Sequence, residues 1–109
     1  MHVNFTKFDY IRMAEEIEQI TYNRDGEAID YEFSMDENIV VLMEVTAQCH
    51  TQAVQGGYGG DYNDHETLIQ VVGKSLSIKG WSIGHLMDDA VNITHNFCTN
   101  RLQEIFEND

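Results

Sequence analysis

Val41-Leu42-Met43-Glu44-Val45-Thr46-Ala47-Gln48-Cys49-His50 alternates apolar and polar side chains, and a second strand-like run closes with Leu76-Ser77-Ile78. Between them lies Gln55-Gly56-Gly57-Tyr58-Gly59-Gly60-Asp61-Tyr62-Asn63-Asp64-His65-Glu66, which contains no proline. A period of two sends successive side chains to opposite faces of a strand. Val41, Met43, Val45, Ala47, Cys49 and Ala53 therefore share one face, against Glu44, Thr46, Gln48, His50 and Gln52 on the other. Two such runs around a glycine-rich segment read as a long β-hairpin with an acidic, aromatic tip. In the second run Ile69 and Val71 keep one phase while Leu76 and Ile78 keep the other, and a β-bulge near Gly73 would bring all four onto one face.

Upstream, Ile29, Tyr31, Phe33 and Met35 alternate with Asp30, Glu32 and Ser34, and Asp36-Glu37-Asn38 makes a short turn into the hairpin. Half-buried strands joined this tightly form an antiparallel sheet with one solvated face. Before them, residues Phe5 to Tyr22 read as a helix. Thr6 is placed as its N-cap, Asp9 stands three residues later, and Phe5 can pack on Tyr10 as a hydrophobic staple. Tyr10, Met13, Ala14 and Ile17 make its apolar stripe, and Asn23-Arg24-Asp25-Gly26 ends it. Downstream, Lys79-Gly80-Trp81-Ser82-Ile83-Gly84 is expected to be a turn or irregular segment. A closing helix is expected from Met87 through Phe97, Cys98 and Leu102 to Ile105, with Asp88 and Asp89 near its positive end. His2 is expected in a loose terminus. The expected fold is α+β, a single domain over residues 1–109: a helix, a three-stranded antiparallel meander with a long hairpin, and a closing helix, both helices packed on one sheet face.

Charge narrows the function. Nineteen Asp and Glu stand against six Lys and Arg, for a formal net charge of −13. Such a chain is repelled by nucleic acid and by anionic membranes, and its six cations are scattered along the sequence. No apolar run approaches the ~20 residues that span a bilayer. The first residues, Met1-His2-Val3-Asn4-Phe5, carry neither the basic nor the apolar part of a secretory signal, so a cytoplasmic location is expected. Cys49 and Cys98 both fall on apolar faces, which makes them buried free thiols rather than a disulfide.

The chemistry-bearing residues do not assemble into a catalytic motif. Asp61, Asn63 and His65 alternate as calcium ligands do, but Glu66 stands where an EF-hand loop needs glycine and Ser77 where it needs its bidentate Glu. His50 and His65 flank the loop without the spacing of a transition-metal site. The glycines lack the Lys-Ser/Thr of a phosphate-binding loop and are followed by carboxylates. Neither an enzyme, a cofactor nor a metal is expected. Tyr58 and Tyr62, set among small residues with Asp61 and Asp64, have the composition of a recognition surface.

The stretch from Val40 to Ile78, an alternating strand, Gly60-Asp61-Tyr62, and Glu66 leading a second strand, resembles a pattern in small phage- or prophage-encoded proteins of unknown function. The resemblance covers roughly a third of the chain, departs from the pattern in its Pro-free loop, and transfers no functional residue. It implies a viral or mobile-element origin and a protein that occupies a host protein's surface. Ten acids, among them Glu15, Glu18 and Glu32, lie in the first 37 residues, and Glu44 follows them. The expectation is a non-enzymatic binder of a basic protein, with Tyr58, Asp61, Tyr62, Asp64, Glu15, Glu18, Glu32 and Glu44 as its contact residues; in the sharper form it mimics nucleic acid and inhibits a nucleic-acid-binding protein. Two alternatives stand beside it: a self-assembling subunit that pairs hairpin edges between copies, and a metal or small-molecule module around Tyr58, Tyr62, His50 and His65.

Overall fold

A computed structural model of the protein describes residues 1–35, 38–55 and 67–108. Its elements run β1 (His2–Val3), α1 (Lys7–Ile20), β2 (Ala28–Ser34), β3 (Ile39–Gln55), β4 (Thr67–His85), β5 (Thr94–His95) and α2 (Thr99–Asn108). The architecture is α+β, with β2, β3 and β4 in one antiparallel sheet in that order and β1 pairing parallel with β5.

The start of α1 follows its sequence. Thr6 Oγ1 accepts from the Asp9 N–H at 3.4 Å while the Thr6 N–H donates to Asp9 Oδ2 at 2.8 Å, a reciprocal capping box. The Phe5 and Tyr10 rings lie 6.2 Å apart, as the staple requires. Tyr10, Met13, Ala14 and Ile17 are buried, and α1 lies over the β2 face that carries Tyr31 and Phe33. There Tyr31 Oη donates to Glu16 Oε1 at 2.7 Å, and the Arg12 guanidinium sits 4.9 Å from the centre of the Phe33 ring. The helix closes at Thr21, and the chain turns into β2 through positive φ at Asn23 and at Gly26.

In the sheet, Tyr31 and Phe33 of β2 share the core with Val41, Met43, Val45 and Ala47 of β3, Leu76 of β4, and Leu102 and Phe106 of α2. Burying each of the larger of these side chains stabilises the fold by about 1.5–3 kcal/mol. Two register shifts interrupt the β3–β4 ladder. His50 pairs with Gly73 and Thr51 with Val71, so Val72 is the extra residue and Ile69, Val71, Leu76 and Ile78 fall in a common phase. Farther along, Leu42 pairs with Ser82 and Glu44 with Lys79, so that Gly80 and Trp81 together face Met43. Gly80 has φ +56, the left-handed conformation that such a bulge uses.

That second bulge corrects the expected turn at Lys79–Gly84: the strand continues through it to His85. The closing helix is also shorter than its pattern, beginning at Thr99 rather than Met87. The reason is competition from side chains and from the chain's start. Asp88 Oδ1 accepts from the Ala90 N–H, and His85 Nδ1 and His95 Nδ1 accept from the N–H groups of Met87 and Phe97, all two residues on. Asn96 then binds Asn4 and both backbone groups of Phe5, while Tyr10 Oη accepts from the Cys98 N–H. Asp88 and Asp89 therefore lie in a turn, not at a helix end. For the same reason His2 is ordered in β1, with its Nδ1 3.0 Å from Thr94 Oγ1.

Candidate functional site

The sheet positions the projecting part of the molecule. Pairing with β2 stops at Thr46, whereas the β3–β4 ladder continues from Ala47–Leu76 to Gln55–Thr67 as a two-stranded ribbon. Unpaired backbone groups on both edges of its base are closed by other parts of the chain. On the β3 side, Ala47 O accepts from the Gly26 N–H at 2.9 Å and the Cys49 N–H donates to Asp25 Oδ2 at 3.2 Å. On the β4 side, Leu76 O accepts from Gln103 Nε2 at 2.9 Å and the Leu76 N–H donates to Glu107 Oε2 at 3.4 Å. Covering edge groups in this way protects a sheet from unwanted pairing.

Where these contacts converge there is a groove of about 700 Å³. Glu18 and Tyr22 line it from α1 and the residues after it, Asp25 from the turn, Cys49 and Lys74 from the ribbon, and Phe106 and Glu107 from α2. Lys74 Nζ lies 3.4 Å from Glu18 Oε2 and 4.9 Å from the centre of the Phe106 ring, with its side chain only 16% exposed. Tyr22 is 74% exposed. Both helices bring their C-terminal ends here, and neither carries a basic residue in its last turn.

Cys49 corrects the expectation of a buried thiol. It is exposed and free, and Cys98 is half-buried and free. Its strand phase is the expected one, but Cys49 lies two ladder positions beyond the buried pair Ala47–Leu76 and is exposed. Partial desolvation at the groove wall, and then the Asp25 carboxylate, push the thiol above its ordinary value. Tyr31 is raised much further, by burial first and then by the hydrogen bond and charge of Glu16.

The opposite face of the sheet holds a second acidic surface. Asp30 stands directly across from Glu44, which has Lys79 across from it on its other side, and Glu32 stands across from Leu42. Like charges placed directly opposite destabilise a sheet by up to about 1 kcal/mol. Leu42 is 46% exposed between these carboxylates, along a shallow groove of about 480 Å³. Of the contact residues expected from sequence, Glu32 and Glu44 lie on this face, and Glu15 and Glu18 line the solvent side of α1. Tyr58, Asp61, Tyr62 and Asp64 lie outside the described residues, as do His65 and the Asp36-Glu37 turn. His50 has its Nε2 3.1 Å from Ser75 Oγ. Among the described residues no three His, Cys, Asp or Glu side chains group closely enough to hold a metal, and no helix is long and apolar enough to cross a membrane.

Asp25, Tyr22, Lys74, Phe106 and Glu107 were not singled out by sequence reasoning. The available signal was the lack of any Lys, Arg or His in the last turn of either helix, which leaves each negative dipole end without a cation of its own. In comparisons with known proteins, no family model, curated protein or solved structure matches the chain.

Proposed function

We propose that this chain is a non-enzymatic protein that binds a basic partner protein through its acidic surfaces and the projecting hairpin. The observation that carries the reading is the excess of exposed carboxylate over available cation. Of six cations, Arg12 pairs with Glu16, Arg24 with Glu27 and Lys74 with Glu18, and Arg101 lies over the Tyr10 ring. Asp30, Glu32 and Glu44 meanwhile share one sheet face. With both helices taken to pack on the other face, that surface stays open for docking, and its field steers a cationic protein toward exposed Leu42. In its sharper form the acidic surface stands in for nucleic acid and inhibits a host protein that binds it. The resemblance to phage-encoded proteins agrees with that form.

The test is capture from the native host's lysate on the immobilised chain, at low and moderate salt, with mass spectrometry of the retained proteins. A basic protein should be retained, released as salt rises, and held less well by Glu32→Lys/Glu44→Lys, whose binding should also depend less on salt. Retention indifferent to salt and to charge reversal would remove the electrostatic reading. A specific observation also favours a second reading, self-assembly through the ribbon: β2 stops pairing at Thr46, and past the Gly26 and Asp25 contacts at Ala47 and Cys49 no described strand pairs with that edge of β3. Concentration-dependent mass in light scattering, with no partner retained, would decide for it.

A further inference from the structure

We infer that the outer edge of β2 receives an extended basic segment of the partner protein, which joins the sheet as an added strand. This rests on the reading of the chain as a binder of a basic protein and names the edge used and the form of the segment that uses it.

The strand order β2-β3-β4 leaves β2 paired on one side only. Its register to β3 is unbroken from Ala28 to Ser34, and among the described residues no other backbone or side-chain group bonds to its outer edge. Alternate N–H and C=O groups of a seven-residue strand therefore face outward without a protein partner, which is the template that strand addition uses. The base of the ribbon shows the contrast, since Gly26 and Asp25 close groups of β3 there and Gln103 and Glu107 close those of Leu76. The usual obstacles to strand addition are also missing from β2: Ala28–Ser34 contains no proline, glycine or lysine, and no bulge turns it away.

The side chains beside this edge select its occupant. Asp30 and Glu32 are exposed on the open face of the sheet, and neither forms an ion pair or hydrogen bond among the described residues. A second copy pairing antiparallel through the same edge, centred on Asp30, Tyr31 or Glu32, would set carboxylate directly against carboxylate and be disfavoured. A strand with lysine or arginine at alternate positions places its cations across from Asp30 and Glu32 instead, in a field to which Glu44, across the ladder from Asp30, contributes. On the other face Tyr31 and Phe33 are already buried, with Glu16 and Arg12 of α1 against them, so the intervening residues of the segment need only favour extended chain.

The experiment uses the full chain and a fluorescein-labelled peptide, matched in length to β2, that alternates lysine with threonine; binding is read by fluorescence anisotropy at low salt. Two further peptides carry N-methyl groups on every lysine or on every threonine nitrogen. Alternate N–H groups of a strand point to opposite edges, so one methylated peptide should bind roughly tenfold more weakly than the other. In hydrogen exchange followed by nuclear magnetic resonance, alternate amides of β2 should gain protection when the parent peptide binds. Asp30→Asn/Glu32→Gln should weaken binding roughly threefold to tenfold with the circular dichroism spectrum unchanged. Equal affinity for the two methylated peptides, with exchange at β2 unaltered, would overturn strand addition and leave the basic-partner reading in place. Failure of the parent peptide to bind would overturn it as well, while capture of a basic protein from lysate judges the wider reading separately. Protection of the same amides without peptide, rising with protein concentration, would give the edge to a second copy and overturn the assignment to a basic segment.

Discussion

Replacing Gly80 with alanine isolates the backbone geometry on which the sheet's phase depends. Gly80 has φ +56, and a Cβ built on it would meet no atom within 4 Å, so the substitution introduces no clash. The cost is the left-handed backbone of an L-residue, about 1–2 kcal/mol, offset in part by lower chain entropy in the unfolded state. A net loss of about 1 kcal/mol is expected. Gly84 provides the control on the same strand: its φ is not positive and its Cβ would also meet open space. Gly84→Ala should therefore stabilise by about 0.5 kcal/mol. The two variants should differ by about 1.5 kcal/mol, or roughly 6 °C or more in Tm. Urea unfolding followed by far-ultraviolet circular dichroism and by fluorescence of Trp81, the one tryptophan, measures both. If Gly80→Ala proved as stable as Gly84→Ala, the left-handed bulge would not be what holds the register. Deleting Gly80 should be far worse, because it turns one side of the ladder over and separates Trp81 from Phe97, whose rings now lie 4.9 Å apart.

Tyr31→Phe removes the hydrogen bond to Glu16 and should cost about 1–2 kcal/mol. Because the folded-state phenol titrates well above its ordinary value, the stability it contributes is fully present below about pH 10 and is lost as pH rises beyond it; the Phe variant should show less alkaline loss in urea midpoints measured across that range. Thr6→Ala should lower stability by about 1 kcal/mol, with Thr6→Ser close to the parent, as thermal unfolding can verify. Cys49 should react with iodoacetamide at neutral pH more slowly than an unhindered peptide thiol despite its exposure, and Asp25→Asn should speed it; rates equal in both proteins would contradict the role of Asp25.

The elements that sequence described well are those whose determinants are local. Thr6, Asp9 and the Tyr10, Met13, Ala14, Ile17 stripe define α1 within three turns of chain, and alternation places Tyr31, Phe33, Val41, Met43 and Val45 on one face without reference to anything distant. The phase change beside Gly73 was legible for the same reason. The change at Gly80 was not: Lys79-Gly80-Trp81-Ser82 has the composition of a turn, and only the long β3 partner opposite shows that the strand runs on. Of the site, the acidic residues were visible as composition, but their distribution over two sides of the sheet depends on how α1 lies on it.

By itself the sequence determined the α+β class, the antiparallel order of three strands, the start of α1 and an overwhelming negative charge, because periodicity, capping and composition are properties of short stretches. The tertiary structure decided the rest. It ordered the chain's first residues by pairing them with Thr94 and His95, and it withheld helix from residues 87–98 by giving their polar groups other partners. It also left Cys49 exposed beyond the buried Ala47–Leu76 pair and brought Asp25, Lys74 and Glu107, far apart in sequence, around one groove. These outcomes depend on which backbone groups find partners and where the buried core ends along the sheet, and both are set by contacts between distant segments.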